Sequence, residues 1–384
     1  MIITVIAFIC VFGLLVFVHE LGHFLAAKWM GVEVQVFAFG FPPTLWSRKV
    51  GETTYKINVI PLGGYVSMLG ENEDEAEVNA KPNPRSLLSK EPWQIIFIMI
   101  AGVTMNVILA VILLWTCYIV GFQPVVGGMT DHPGIKNDLR LVVDSVEKDS
   151  PAERAALVAG DVIISVNGQA VTDSPTLVEK IAAADRTGLK EVSLRIQSGD
   201  LAADKKLIPA KSSVKLRSGK EQEVVRIGVA LSTEGSLHGD IFSSFMAAIS
   251  EAGRITALTL DSIIGLFRQL IFQFKISEEV SGPIGIVVMT NYFAQMGIVP
   301  LIQFAAILSL SLAIFNVLPI PALDGGQIVV TTLEMITRRK FSNRTKNIIQ
   351  LVGFSFIIGL FLIITVKDFV NFGIIKFITG LFGK

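Results

Sequence analysis

Long stretches without Asp, Glu, Lys or Arg alternate along this chain with stretches of ordinary polarity. Residues 1–18, 92–130, 280–323 and 347–366 carry none of the four charged types. About 20 apolar residues cross a ~30 Å hydrocarbon core as a helix, so the pattern predicts membrane helices near 1–26, 94–121, 299–322 and 347–366. The run at 280–323 has room for a second short or re-entrant segment before Pro300. The first run could be mistaken for a signal peptide, but it lacks a positive n-region and a small-residue cleavage site. It continues instead into His19-Glu20-Leu21-Gly22-His23 and reads as a retained span.

The polar stretches have their own pattern. Apolar and polar residues partly alternate in 32–39 and 53–66, interrupted by Gly-Phe-Pro-Pro at 40–43 and Pro-Leu-Gly-Gly at 61–64. That predicts short hairpin strands close to the membrane. Residues 71–92 are acidic and Pro-rich, as in a flexible linker. Further on, 141–146 reads as a strand, and Ser150-Pro-Ala-Glu as a capped helix start. Residues 160–168 read as a strand closed by an Asn-Gly turn. A helix over 175–184 and strands near 191–197 and 223–231 follow. Residues 241–275 set Arg254 and Arg268 among Ile, Leu and Phe, as in an amphipathic helix on a membrane surface. No repeat of 20–50 residues is visible.

Composition sharpens this reading. Of 384 residues, 51% are hydrophobic and 17% charged, and Lys+Arg balance Asp+Glu at 33 each. No global charge recruits nucleic acid, and disordered, collagen-like and coiled-coil classes are excluded. Residues 131–235 hold 31 of the 66 charges, so a normally charged insert sits within an apolar chain. Residues 27–92 carry seven Lys/Arg and 324–346 carry five. The positive-inside rule puts both loops in the cytoplasm, and the insert and both termini outside. The two cysteines, Cys10 and Cys117, lie inside predicted spans, so no disulfide framework is expected. The fold class is thus a polytopic α-helical membrane protein of about four spans, with a membrane-associated β-hairpin region and an inserted extracytoplasmic α+β domain. Its expected divisions are 1–121, 122–235, 236–298 and 299–384.

The chemistry begins at His19 and His23. On a helix, residues four apart project from one face, so both imidazoles can bind one metal. Glu20 lies one position round, able to take a proton from a water beside the metal. Three ionisable groups at the edge of an apolar span mark function by default. A catalytic zinc usually takes three protein ligands. His132 and His238 belong to the external insert, on the wrong side of the membrane. Asp324 is the first charge after 44 uncharged residues, in Asn316-Val-Leu-Pro-Ile-Pro-Ala-Leu-Asp-Gly-Gly326. Alone it reads as a cap for a helix at 328–337; beside the His pair it reads as the third ligand. Pro319 and Pro321 break the helix there and expose backbone groups that only a cavity tolerates.

Taken together, these motifs resemble the site-2 proteases, intramembrane zinc metalloproteases, and within them the bacterial RseP-type branch. The resemblance rests on His19-Glu20-x-x-His23, Asn316…Pro319-x-Pro321-x-Leu323-Asp324-Gly325 and a PDZ-like insert between them. Pro61-Leu-Gly-Gly-Tyr-Val66 and Ser281-Gly-Pro-Ile-Gly285 match as well. Two departures stand out. The family's Ala-Gly-Pro-x-x-Asn is here Ala101-Gly102-Val103-Thr104-Met105-Asn106, without the Pro, and one PDZ-like unit is visible where well-known relatives carry two.

The resemblance implies Zn2+ held by His19, His23 and Asp324, with Glu20 as the catalytic acid–base. It implies substrate contacts from Asn316, Pro319, Pro321, Gly63, Gly64 and Tyr65. It further implies a multi-pass protein of the bacterial inner membrane, with its metal site towards the cytoplasm. Its partners would be the bilayer and single-span membrane proteins already cut outside, such as tethered anti-sigma factors or signal-peptide remnants. The rival reading is a catalytically idle scaffold whose PDZ unit binds partner tails. A transporter is disfavoured by so few spans and no repeat.

Overall fold

The architecture follows from which helices can hide their backbone in lipid and which segments need water. It is seen in a computed structural model that describes residues 2–71, 83–125, 132–186, 191–199, 201–215, 221–273, 282–339 and 341–371. Two compact units emerge, one of residues 1–114 and 252–384, the other of residues 115–251.

The first unit opens with α1, Ile2–Trp29, 28 residues and so ~42 Å long. It leads into β1, Val34–Val50, and β2, Thr53–Met68, which pair antiparallel. The Pro and Gly clusters at 40–43 and 61–64, expected to interrupt these strands, lie inside them. The ladder absorbs them through register shifts, including those between Phe39 and Phe41 and between Phe41 and Thr44, where a missing N–H costs no ladder bond. Residues 83–91, expected in a flexible linker, are packed: Glu33 N donates to Arg85 O at 2.9 Å and Leu87 N to Leu69 O at 2.8 Å. Residues 72–82, the acidic part of that linker, lie outside the described residues. Glu52 at the β1–β2 turn takes Arg85 and Lys28 together, and Arg85 first, then Lys28, holds its carboxyl below the usual carboxylate range. α2, Pro92–Val120, follows as a second long apolar helix. Ala26 and Ala27 of α1, Val34 and Phe37 of β1, Val66 and Met68 of β2 and Ile98 of α2 form one buried cluster.

The second unit carries β3, Ile135–Asn137, β4, Arg140–Val146, and α3, Pro151–Arg154. Ser150 Oγ accepts from Glu153 N at 3.1 Å and caps α3. β5, Val162–Val166, and β6, Gln169–Ala170, flank Asn167-Gly168. Both turn residues have positive φ, +48° and +78°, as a type I′ hairpin requires. Then follow α4, Ser174–Arg186, β7, Val192–Ser198, β8, Leu201–Leu207, β9, Ala210–Lys215, β10, Glu221–Arg226, β11, Val229–Glu234, and β12, Leu237–Gly239. The main sheet runs β11-β4-β5-β7-β8, with β6 on β5. Its buried face, with Leu141, Val143, Ile163, Leu194 and Ile196, packs on Leu177 and Ile181 of α4. The strand expected near 223–231 is two strands, separated at Gly228, whose φ is +79°.

α5, Ile241–Gln273, follows the sheet domain. The short segment expected before Pro300 is α6, Pro283–Met296, and the third long apolar helix is α7, Ile298–Val317. α8, Asp324–Thr337, and α9, Asn343–Asn371, complete the described chain. Asp368 of α9 accepts from Gly282 N at 2.9 Å and Gly285 N at 3.0 Å, placing a carboxylate on the positive end of α6. Among the described residues, α1, α2, α7 and residues 344–369 of α9 are the four helices long and apolar enough to cross a membrane. Residues 372–384 lie outside the described residues.

Candidate metal centre

α1 carries both histidines because its apolar sequence stays helical through Trp29, well past His23. His19 and His23 are therefore stacked on one face. α7 ends at Val317 because Pro319 and Pro321 cannot continue its ladder. The chain turns through Leu318–Leu323 and restarts as a helix at Asp324. That turn delivers Asp324 to the two imidazoles.

The geometry is tight. His19 Nε2 and His23 Nε2 are 3.2 Å apart, and Asp324 Oδ2 lies 3.2 Å from the first and 3.4 Å from the second. Ligand atoms ~2.0–2.1 Å from a tetrahedral centre stand about 3.3–3.4 Å from one another, so these separations are those of three corners around one small cation. Asp324 Oδ2 is buried and accepts no hydrogen bond, which is costly for a carboxylate unless a cation answers it. His23 Nδ1 meets Ile98 O at 2.9 Å. A carbonyl only accepts, so Nδ1 carries the proton and Nε2 offers its lone pair. Two imidazoles and a carboxylate are also the donor chemistry of a catalytic zinc site. The residues present fit the ion. His132 and His238, in the other unit, are not members of this cluster, the one such group among the described residues.

Glu20 is half-buried beside the cluster, and the Val66 backbone N–H of β2 faces its carboxylate. β2 comes this close because residue 64 has no side chain: a Cβ there would lie 3.2 Å from Glu20 Cγ and 2.9 Å from Ala38 O. Gly64 pairs with Phe39 and Tyr65 with Ala38, while Gly63 packs against the Phe41 ring with φ +131°. Asn316 Nδ2 lies 3.2 Å from His19 Nε2. Of the expected substrate residues, Asn316 thus adjoins the cluster directly and Gly64 adjoins Glu20. Pro319 is exposed and Pro321 half-buried in the turn before Asp324.

Two residues at the cluster were not singled out from the sequence. Gly102 of α2 is its floor: a Cβ there would lie 2.6 Å from His23 Cε1 and 2.9 Å from His19 Cε1. Asn106, one turn on, brings its amide to 3.4 Å from His19 Nδ1. The stretch holding both stood out only as one lacking a proline, since a Gly and an Asn in an apolar helix also serve helix packing.

Comparisons with known proteins bear on this centre. The model of peptidase family M50 matches residues 7–360. A protein of Clostridium perfringens named as a zinc metalloprotease is 33% identical over 359 residues, covering 94% of this chain and 96% of the relative. A Nostoc protein of the same description is 33% identical over 371 residues, covering 95% of each. The regulator of sigma-W protease RasP of Bacillus subtilis is 29% identical over 445 residues, covering 95% of this chain and 98% of its own. Among solved structures, a PDZ domain of Listeria monocytogenes covers 24% of this chain and 85% of its own at 24% identity and a TM-score of 0.18, and no argument is built on it.

Proposed function

Because this chain belongs to peptidase family M50, the site-2 proteases, and is a zinc metalloprotease, we propose that it cuts single-span membrane proteins within or near the bilayer. In this reading His19, His23 and Asp324 hold the zinc and Glu20 is the general acid–base. The reading is carried by one observation: three donor atoms from residues 19, 23 and 324 converge at mutual separations of 3.2–3.4 Å, with Asp324 Oδ2 otherwise unanswered.

Zinc, when bound, supplies Lewis acidity towards water and the scissile carbonyl. The chain's own residues supply the rest. Glu20 takes the proton of the attacking water and returns it to the leaving amine. Asp324 and Ile98 O set the two sides of His23, so the imidazole keeps its Nε2 towards the cluster. A substrate helix hides its carbonyls in internal hydrogen bonds and has to unwind before attack. The edge of β2 at Gly63, Gly64 and Tyr65 receives the unwound segment as an added strand, directly beside Glu20. The Asn316 amide donates to the substrate backbone there, and Pro319 and Pro321 keep the facing turn free of helix.

The loops rich in Lys and Arg, 27–92 and 324–346, face the cytoplasm in this reading, and the sheet domain lies outside as a PDZ-like module. The Bacillus subtilis relative is named for regulating sigma-W. By extension the substrates here are membrane-tethered regulators such as anti-sigma factors, or signal-peptide remnants, after a first external cut. The domain division 1–121, 122–235, 236–298 and 299–384 belongs to the same proposal. Metal analysis of the purified chain and of Asp324→Asn tests it. About one zinc per chain is expected in the parent, and a large loss in the variant with an unchanged thermal midpoint. Parent-like zinc content in Asp324→Asn would overturn the assignment.

A further inference from the structure

Asn106 lies on the α2 side of the metal cluster with its side chain wholly buried. Its amide faces His19 Nδ1 at 3.4 Å, and its Oδ1 has no hydrogen-bond partner. Its own carbonyl accepts from Ser309 Oγ at 2.8 Å, which ties α2 to α7 at this level. The residue is thus held in place by backbone while its side chain addresses one ligand imidazole.

Proton bookkeeping on His19 decides which amide atom that imidazole needs. If Asn106 presents Nδ2, His19 Nδ1 must be the acceptor and the ring proton sits on Nε2. That proton then points at Asp324 Oδ2, 3.2 Å away, and Nε2 has no lone pair to give a metal. If His19 ligates through Nε2, the proton sits on Nδ1 and requires an acceptor. Among the described residues, the side-chain group that faces it is the Asn106 amide, whose oxygen and nitrogen exchange by a half-turn about χ2 within the same volume. His23 shows the same arrangement, its Nδ1–H going to Ile98 O on the same helix at 2.9 Å. α2 would then anchor both ligand imidazoles through Nδ1, one by a backbone carbonyl and one by a side-chain amide.

We infer that Asn106 Oδ1 accepts the Nδ1–H of His19 in the metal-loaded protein, making Asn106 a positioning residue that sets the tautomer and ring orientation of this ligand. The inference rests on His19 being a zinc ligand, as proposed above.

The test is zinc affinity, measured by chelator competition on the purified full chain in detergent, for the parent, Asn106→Leu, Asn106→Asp and His19→Ala. Leu keeps the volume and removes the acceptor; Asp keeps an acceptor and removes the donor. Loss of a partner of a ligating histidine typically weakens metal binding about 10–100-fold, which is the expectation for Asn106→Leu. Asn106→Asp is expected within about threefold of the parent, or tighter, since a carboxylate serves the same imidazole N–H. Equal weakening in both variants would mean that Asn106 acts as a donor or as packing, and parent affinity in Asn106→Leu would mean that it does not act on His19; either overturns the inference. Should Asn106→Leu fail to fold, Asn106→Asp decides alone, retention supporting the acceptor role and loss refuting it. Full zinc affinity in His19→Ala would refute the ligand assignment itself. Loss there, with parent affinity in Asn106→Leu, would refute only the role of Asn106.

Discussion

Gly102→Ala is the most economical perturbation of the metal centre, since it adds a single carbon. That carbon would lie 2.6 Å from His23 Cε1 and 2.9 Å from His19 Cε1, whereas carbon atoms in contact prefer about 3.5–4.0 Å. One or both rings therefore have to give way by roughly 1 Å. His23 has little freedom to do so, with its Nδ1 tied to Ile98 O at 2.9 Å. Residue 102 lies within helix α2, where Ala is favoured over Gly by about 1 kcal/mol, which offsets part of the ~1–3 kcal/mol that overpacking costs. A ~1 Å misplacement in a catalytic constellation can cost about 10²-fold in rate. The assay pairs zinc content with cleavage of a single-span model substrate carrying helix-destabilising residues, in detergent, with the thermal midpoint as the control for folding. The expected result is weakened zinc retention and a rate lower by about 10²-fold, with a cooperative thermal transition retained at an equal or modestly lower midpoint. Parent zinc content and parent rate in Gly102→Ala would show that α2 does not floor the site.

Two further outcomes are expected. In a background lacking Cys10 and Cys117, a thiol at Leu201 should label from outside intact cells and one at Ser342 should not; the reverse pattern would invert the proposed topology. Asp240 precedes α5 and accepts from Phe242 N and Ser243 N at 2.9 and 3.0 Å, and the Ser243 backbone N–H foremost holds its carboxyl below the usual value. A carboxyl depressed in the folded state stabilises it above the unfolded pKa and loses that contribution as the pH falls through the folded one. The thermal midpoint of Asp240→Asn should therefore lie below the parent at pH 7 and converge on it below about pH 4; a gap unchanged with pH would refute this.

Much of this was legible in the residues. The four long apolar helices followed from uncharged runs, because lipid penalises every charge within a span. The His19–His23 pairing followed from the 3.6-residue turn. The convergence of Asp324 was inferable only by taking it together with the His pair, since alone it reads as a helix cap, and its 3.2 Å approach depends on how α7 ends at Pro319 and Pro321. The strands β1 and β2 read as interrupted because Pro and Gly normally end strands, whereas here register shifts carry the pairing past them. β8, Leu-Ala-Ala-Asp-Lys-Lys-Leu, was not legible, since an edge strand with mostly exposed side chains needs no apolar alternation. Gly102 and Asn106 were hidden for a different reason. Both stand in the stretch Ala101-Gly102-Val103-Thr104-Met105-Asn106 that the resemblance matched, but the close approach of two imidazoles to one and of the His19 ring to the other is a matter of packing that spacing does not reveal.

The most direct measurement of the central claim is the cleavage rate of zinc-loaded Glu20→Gln. Glu20 is not a ligand in this account, so the variant should hold zinc at about one per chain and keep the parent's thermal midpoint. Without a group to take and return the proton, its rate on a helix-destabilised single-span substrate should fall by about 10²–10⁴-fold. Cleavage at the parent rate by Glu20→Gln would contradict the account.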